Sequence, residues 1–303
     1  INAYGQFAPL YALINAKMVY LSSFAFPDWD AEYNFRLNKV KRTCYSTMYP
    51  FFVLSARAFS RVDFEPVTIF CGGNGSGKTT ALNVIAEKLR LSRSGLYNRS
   101  DFFEDYVNMC RCTTEVRPPH GEIITSDDVF DYMLSVRVIN EGVDNRREEL
   151  FEEYNNLKRE RSQVRSLEDY DRLKKIADAR RRTQSEFVRR NLADNVRERS
   201  NGESAFAYFT QRINRDALYL LDEPENSLSA ELQQKLTTFL SDSARFYGCQ
   251  FIIATHSPFI LAMRGAKIYD LDADPVDVKK WTELENVRAW YKFFKEHSDK
   301  FDS

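Results

Sequence analysis

The chain has 303 residues, and 43% of them are hydrophobic, so it is long enough to bury a full core. Its 43 lysine and arginine residues nearly balance its 44 aspartate and glutamate residues, which gives a formal net charge of −1. This balance excludes a global positive field for nucleic-acid binding, so any such binding must be local. No run of about 18 apolar residues is present, which excludes a membrane-spanning helix.

The cysteines indicate a reducing compartment. Their number is odd and they lack the spacing of a zinc site, so reduced thiols in a cytoplasmic protein are the simplest interpretation. The five positions are Cys44, Cys71, Cys110, Cys112 and Cys249. The sequence begins at Ile1, so we expect the native N-terminus to lie outside it.

The first 70 residues are rich in aromatic side chains. The apolar stretch 7–21 lacks a basic flank, and its aromatic and β-branched residues favour a buried strand or helix over a targeting segment. The runs 49–54 and 62–64 favour β-structure. Tyr49, Arg57 and Arg61 are candidates for contact with a nucleotide base or phosphates, although core packing or surface charge is the favoured interpretation of each.

Residues 72–79 read Gly-Gly-Asn-Gly-Ser-Gly-Lys-Thr, a complete phosphate-binding loop. The apolar run 67–71 precedes this loop and the helical pattern 81–89 follows it, as the motif requires. The glycines let successive backbone N–H groups point at phosphate oxygens, and the helix beginning near Lys78 adds its positive end. Lys78 is predicted to reach the β- and γ-phosphates, and the Thr79 hydroxyl to ligate Mg²⁺. The predicted nucleotide-binding residues of this segment are Gly73, Asn74, Gly75, Ser76, Gly77, Lys78, Thr79 and Thr80.

Residues 98–140 are irregular in pattern, with a break at 117–121. A helix start follows, in which Thr125 is expected to cap the helix and Asp128, three residues later, to complete the reciprocal capping pair. From 145 to 199 the composition becomes highly charged, and two sets of apolar residues recur at helical spacing. They are Leu150, Tyr154, Leu157 and Val164, and then Leu167, Tyr170, Leu173 and Ile176. With residues 166–169 as cap and turn, this pattern predicts a short antiparallel helical hairpin.

The hairpin carries basic clusters at 180–182 and 189–190. Arginines in such clusters are suited to nucleic-acid phosphates, but acidic residues are interspersed among them. A solvated arm or protein-docking surface is therefore favoured over direct DNA contact.

Residues 216–224 form an apolar strand that ends in two adjacent carboxylates, Asp222 and Glu223. An acidic pair at a strand end is often only a turn, but the phosphate loop earlier in the chain changes that interpretation. Asp222 is predicted to hold Mg²⁺, directly or through water, and Glu223 to polarise the attacking water as a general base. The pair therefore predicts hydrolysis in addition to nucleotide binding.

Two further segments select among phosphate-loop families. Residues 251–255 form another apolar strand, which ends at His256, and the polar segment Ser200-Asn-Gly-Glu-Ser precedes Asp222. In this order of motifs the chain resembles the ATP-binding-cassette (ABC) class of ATPases. The segments 222–229 and 254–258 resemble RecF, SMC and OLD-type heads more than transporter cassettes. Small stand-alone bacterial ATPases of this branch, some similar to the ATPase component of Septu-type antiphage systems, are the nearest likeness.

The resemblance extends from about residue 49 to 301 and implies a fold and a site. The expected fold is an α/β P-loop NTPase, an ABC-ATPase head with an antiparallel β-layer and a short helical-hairpin insertion. Residues 1–140 would form the first half of the head, 141–199 the arm, and 200–303 the second half. The resemblance also implies that Ser200 and Gly202 of one subunit contact the γ-phosphate bound by another subunit. It implies that His256 contacts that phosphate from the same subunit, which makes Glu223, His256 and Lys78 the expected catalytic residues.

The chain departs from the class pattern in two places. Transporter cassettes carry a glutamine loop between the phosphate loop and the signature, but the only glutamines here, Gln163 and Gln184, lie in the charged helical segment. Asp101 is a candidate for the missing polar contact. Ser229 replaces the usual aspartate of the D-loop, which occupies 225–229, and this weakens the expectation of coupling between subunits through that loop.

The expected function is Mg²⁺-dependent ATP hydrolysis by a homodimer that sandwiches two ATP molecules and regulates a partner, such as an antiphage-defence nuclease or another nucleic-acid effector. The region after His256 carries no separate nuclease motif, so any nuclease is expected to be another chain. A transporter ATPase subunit, a nucleotide sensor that does not hydrolyse ATP, and a DNA-repair head acting directly on DNA are the alternatives.

Overall fold

The computed structural model describes residues 18–39, 45, 47–116, 118, 120–160, 169–192 and 200–301. The chain divides into two compact units, one formed by residues 1–129 with 201–303 and the other by residues 130–200. Among the described residues no helix is both long enough and apolar enough to cross a membrane.

The strands are short and belong to two sheets. They are β1 (Leu21–Ala25), β2 (Arg61–Asp63), β3 (Val67–Cys71), β4 (Arg111–Thr114), β5 (His120–Thr125), β6 (Ala217–Asp222), β7 (Gln250–Ala254), β8 (Lys267–Asp270) and β9 (Asp277–Val278). The helices are α1 (Trp29–Lys39), α2 (Lys78–Leu89), α3 (Phe103–Met109), α4 (Ser126–Arg159), α5 (Asp169–Arg181), α6 (Gln184–Asn191), α7 (Asn201–Arg212), α8 (Ala230–Phe246), α9 (Pro258–Leu261) and α10 (Glu285–Glu296).

The larger sheet has the strand order β5-β6-β7-β3-β8-β9 and is parallel except for the edge strand β9. Every residue of β3, β6 and β7 is buried, as expected for parallel strands covered on both faces. β7 lies between β3 and β6. The carboxyl ends of these three strands therefore meet at one edge of the sheet, where ligands bind in open α/β folds.

The smaller sheet is antiparallel, with the order β2-β1-β4. Its central strand pairs Phe24 with Val62 on one side and with Cys112 on the other. The predicted β-layer is therefore present, but its third strand comes from 111–114, beyond the first 70 residues. The run 49–54 forms turns and not a strand. Its Phe51 packs edge-on against Tyr106 of α3, which explains why an apolar stretch without β-structure is buried.

β5 was not predicted from the sequence. The last two residues of the break at 117–121 are the first two residues of this strand. The register of β5 pairs Thr125 with Asp222 of β6. The helix start that follows was predicted correctly. The Thr125 hydroxyl accepts a hydrogen bond from the Asp128 backbone N–H at 3.3 Å, and the Asp128 carboxylate accepts one from the Thr125 backbone N–H at 2.8 Å.

The unit of residues 130–200 contains most of α4 together with α5 and α6. Its small core includes Leu150, Tyr154 and Leu157 from α4 and Ile176 from α5, so these predicted face residues are buried. A third helix, α6, adds Phe187 to this core and was not predicted. Its capping box is formed by Thr183 and Glu186. The predicted turn at 166–168, with Val164 and Leu167, lies outside the described residues, and the three-part division of the chain stays a prediction.

Candidate nucleotide site

The phosphate loop connects β3 to α2 at the carboxyl edge of the larger sheet. Two of its glycines adopt left-handed backbone conformations, Gly75 with φ +80° and Gly77 with φ +97°. Gly77 is also the N-cap of α2, so only a residue without a Cβ places the helix start here without strain. Gly72 is needed for space, since a Cβ there would lie 2.6 Å from the Ser76 Oγ. These glycines let the loop form a tight turn, and turns of this kind present backbone N–H groups to an anion.

Lys78 folds back over this loop. Its side chain is buried, and Nζ donates hydrogen bonds to the carbonyl oxygens of Gly72 at 2.6 Å and Gly73 at 3.0 Å. The ammonium group therefore lies against the loop, and its contact with the β- and γ-phosphates stays a prediction. Asn74 is exposed at the loop tip, whereas Thr80 is buried on the first turn of α2.

Asp272 is a site residue that the sequence did not reveal. It lies just after β8, and its carboxylate accepts a hydrogen bond from the Gly73 backbone N–H at 2.7 Å. This contact fixes the outer side of the phosphate loop to the neighbouring strand. An aspartate 199 residues from its partner carries no motif signal, so only the pairing of β3 with β8 brings it here.

Thr79 and Asp222, the two predicted metal ligands, are in contact. The Thr79 hydroxyl donates to Asp222 Oδ1 at 3.1 Å, which joins the start of α2 to the end of β6 across β7. Burial raises the pKa of Asp222 to about 6, and the neighbouring Glu223 carboxylate adds to the rise while the Thr79 hydrogen bond opposes it. A hydroxyl and a carboxylate oxygen facing each other are the hard ligands that Mg²⁺ selects.

Glu223 follows on a strained turn. Its φ is +48°, a left-handed conformation that is uncommon outside glycine, and its backbone N–H donates to the Ala254 carbonyl of β7 at 2.9 Å. The carboxylate lies 4.0 Å from Lys78 Nζ and 3.8 Å from His256 Nδ1. The three predicted catalytic side chains therefore converge, although they come from three different strand ends.

The turn that carries His256 is held by Glu225, another residue that the sequence analysis did not single out. The Glu225 carboxylate is buried and accepts hydrogen bonds from the Thr255 hydroxyl and from the backbone N–H groups of His256 and Ser257. His256 itself is half exposed. Glu225 lies in the segment assigned to the D-loop, and its contact with residues 30 positions away was not visible in any local pattern.

The signature segment forms the start of a helix. Ser200 is exposed immediately before α7, and Gly202 lies in its first turn. A Cβ on Gly202 would lie 2.7 Å from Leu232 Cδ1 of α8 and 3.2 Å from the Ser227 carbonyl oxygen, so α7 packs closely on the segment after Glu223. Ser229 is the N-cap of α8, where its hydroxyl accepts a hydrogen bond from the Leu232 N–H. This capping role gives a local reason for serine at that position.

The remaining candidates are dispersed. Tyr49 contacts the site, because its hydroxyl donates to Thr80 Oγ1 at 3.2 Å. Arg61 forms an exposed ion pair with Asp63. Asp101 lies in an exposed turn next to Ser100, whose hydroxyl donates to the Tyr49 carbonyl. Gln184 begins α6 in the other unit, and Gln163 lies outside the described residues.

The fold and the site together have the arrangement of a P-loop NTPase of the ABC class. A glycine-rich loop follows β3, and an acidic pair begins at the last residue of β6. A histidine follows β7, the strand that lies between those two. Residues 114–262 match the family model described as “AAA domain, putative AbiEii toxin, Type IV TA system”. That match begins after the phosphate loop, so the loop and the family match support the assignment independently. The predicted class and fold are confirmed, and the likeness to Septu-type ATPases stays a prediction.

Other comparisons are distant. No curated protein matches the chain. Among solved structures, the chain is similar to the Smc head domain from Pyrococcus furiosus bound to the C-terminal domain of ScpA, with 13% identity, 78% of this chain and 95% of that chain covered, and a TM-score of 0.37. It is similar to the SMC head domain from Thermotoga maritima, with 13% identity, coverage of 73% and 92%, and a TM-score of 0.33. For a dimeric ATP-binding cassette bound to ADP and Pi, the identity is 13%, the coverage 74% and 91%, and the TM-score 0.34.

Proposed function

We propose that the chain hydrolyses ATP with Glu223 as the general base. The observation that carries this proposal is the convergence of Glu223 with Lys78 and His256 within 4.0 Å. In this arrangement Lys78 neutralises charge on the transferred phosphoryl group, His256 contacts the γ-phosphate, and Glu223 accepts a proton from the attacking water. The three groups follow β3, β6 and β7, which are neighbours in the sheet.

The residues present fit Mg²⁺. Thr79 and Asp222 would hold the ion, and their oxygens already face each other at 3.1 Å. The described residues contain no cluster of three histidine, cysteine, aspartate or glutamate side chains for a metal. Mg²⁺ in nucleotide sites uses one or two protein oxygens with water and phosphates, so Thr79 and Asp222 would be sufficient protein ligands. When bound, the ion supplies neutralising charge to the β- and γ-phosphates.

The proposed active species is a homodimer with two ATP molecules at its interface. This proposal rests on the resemblance, in which Ser200 and Gly202 of one subunit contact the γ-phosphate bound by the other. The exposed Ser200 before α7 supports it, because the positive end of a helix dipole favours an anion. Loss of the γ-phosphate would then remove a contact made only in the closed dimer, and the dimer would open.

The proposed output is control of a separate effector chain in antiphage defence, such as a nuclease. The description of the matched family names a toxin and a type IV TA system, which favours control of an effector over transport. This step is tested by measuring effector activity with wild-type chain and with the Glu223→Gln variant. Equal effector activity with both would show that hydrolysis does not control the effector.

Light scattering tests the dimer and the base together. The Glu223→Gln variant should double in mass when Mg·ATP is added, because it binds ATP and cannot release the γ-phosphate. The Lys78→Ala variant is the control and should keep its mass, since it lacks the ammonium group that holds the nucleotide. A mass that stays constant for Glu223→Gln would contradict the ATP-dependent dimer.

Phosphate release tests hydrolysis itself. Wild-type chain should release phosphate from Mg·ATP, and Glu223→Gln should lower the rate by about 100-fold or more, as expected for removal of a general base. Negligible release by the wild-type chain, unaltered by the substitution, would support a nucleotide sensor instead.

A further inference from the structure

Glu225 is a buried carboxylate with an unusual set of partners. It follows Asp222 and Glu223 on the turn after β6, yet its Oε1 accepts three hydrogen bonds from the turn after β7. The donors are the Thr255 hydroxyl at 2.6 Å, the His256 N–H at 3.0 Å and the Ser257 N–H at 3.2 Å. A buried carboxylate is costly without such donors. These hydrogen bonds therefore hold the Glu225 side chain and the His256 turn together.

A second connection reinforces the first. The Ser257 hydroxyl donates to Gln233 Oε1 at 2.7 Å, and the Gln233 amide donates to the Leu228 carbonyl at 3.0 Å. The turn after β7 is thus tied at two points to residues 225–233. This segment also packs against α7 at Gly202, where a Cβ would lie 2.7 Å from Leu232.

The imidazole of His256 lies close to this arrangement. Its Nδ1 lies 3.5 Å from Glu225 Oε1 and 3.8 Å from Glu223 Oε1. The ring is half exposed, whereas Glu225 is 5% exposed. A buried and hydrogen-bonded carboxylate next to a half-exposed ring can orient that ring, as carboxylates orient catalytic and metal-binding histidines.

We propose that Glu225 is a positioning residue for hydrolysis, which fixes the His256 turn to segment 225–233 and thereby aims His256 at the γ-phosphate. We assign it no contact with the nucleotide, because its Oε1 is engaged by the three donors of the turn. The proposal rests on the proposed function for the role of His256. Its consequence is that displacement of segment 225–233, which contacts the signature helix α7, moves His256 with it.

Three variants test this role. Glu225→Ala removes all three acceptor contacts, whereas Glu225→Gln keeps an oxygen that can accept from the backbone N–H groups. Glu32→Ala is the matched control, because Glu32 is also a buried carboxylate that accepts from a backbone N–H, that of Phe52, and from a hydroxyl, that of Ser55. Urea unfolding of each variant establishes that it is folded and how much stability it has lost.

Steady-state kinetics separate positioning from folding. Glu225→Ala should lower kcat by about tenfold or more while KM for ATP changes by less than about twofold, since a misaligned group affects the reaction more than binding. Glu225→Gln should show an intermediate kcat. Glu32→Ala should keep kcat near the wild-type value even with a comparable loss of stability. A Glu225→Ala kcat equal to wild type, or one lowered only as far as that of Glu32→Ala, would overturn the proposal.

Histidine ring signals in NMR spectra give a readout independent of hydrolysis. The chain has three histidines, His120, His256 and His297, so the ring signals can be assigned by substitution. In Glu225→Ala the His256 signal should shift or broaden, while the other two stay in place. If wild-type chain does not hydrolyse ATP, the proposed function fails, and a shifted His256 signal still supports the orienting contact. An unchanged His256 signal in Glu225→Ala would refute the contact whatever the kinetics show.

Discussion

Replacement of Asp222 by asparagine should stabilise the nucleotide-free protein, although it removes a predicted metal ligand. Burial is the first cause of the raised pKa of Asp222, which reaches about 6 from an ordinary value of 3.8, and Glu223 contributes further. The side chain is 8% exposed, so water screens this cost only weakly. Asparagine keeps an oxygen that can accept the hydrogen bond from Thr79 and carries no charge.

The sign and size of the effect follow from linkage. A raised pKa in the folded protein means that ionisation of Asp222 costs folding free energy, so stability is lost as the pH rises from about 4 through 6. Each pKa unit corresponds to about 1.4 kcal/mol, so the full cost above pH 6 is about 3 kcal/mol. At pH 4.5 the carboxyl is mostly protonated in the folded chain, and the cost is about 1 kcal/mol.

Urea denaturation without nucleotide or divalent metal, at pH 8 and at pH 4.5, measures both values. The gain in unfolding free energy for Asp222→Asn should be larger at pH 8 by about 2 kcal/mol. Asp242→Asn, an isosteric change at an exposed position of α8, is the control and should show no such pH dependence. A gain that is equal at the two pH values, or a loss of stability at pH 8, would refute this account of the acidic pair.

Three further outcomes follow from the site. Gly77→Ala should weaken nucleotide binding more than about tenfold in a fluorescent-nucleotide titration and lower the Tm in calorimetry. The substitution places a Cβ on a residue with φ +97° and only 2.8 Å from Leu54, so unchanged affinity would contradict the loop geometry. Gly202→Ala should leave ATP affinity intact but reduce nucleotide-dependent dimer formation in light scattering, since its Cβ would lie 2.7 Å from Leu232 and displace α7. Tyr49→Phe removes a hydrogen bond to α2 and should cost about 1 kcal/mol of unfolding free energy by urea denaturation, with any stabilisation arguing against that bond.

The sequence predicted the parts of the site that are encoded locally. The phosphate loop, the acidic pair and His256 each follow an apolar run, and such a run before a polar turn is a strong signal for the carboxyl end of a buried strand. Carboxyl ends of parallel strands share one sheet edge, which is where Lys78, Glu223 and His256 converge, but the sequence analysis placed His256 at the phosphate only through the resemblance. Their spacing within 4.0 Å depends on β7 lying between β3 and β6, which no local pattern specifies.

The residues that were missed act through long-range contacts. Glu225 meets the turn after β7 only because two strands are neighbours, and Asp272 reaches Gly73 by the same cause. β5 was missed because its first two residues lie within the proline-containing break at 117–121. Its pairing partner β6 also lies nearly 100 residues later. Helix α6 was missed because its apolar residues are few, although its capping pair, Thr183 and Glu186, was a usable signal.

The left-handed backbone at Glu223 has a consequence for protein engineering. Glycine or asparagine would relieve the strain at φ +48°, so a redesign that optimises stability alone would select against the glutamate. The same pressure acts on Asp222, where loss of the charge is expected to stabilise the chain. Thermostable versions of this protein should therefore be sought with both positions fixed. Drift at either position during a stability screen would be an early sign that activity is being lost.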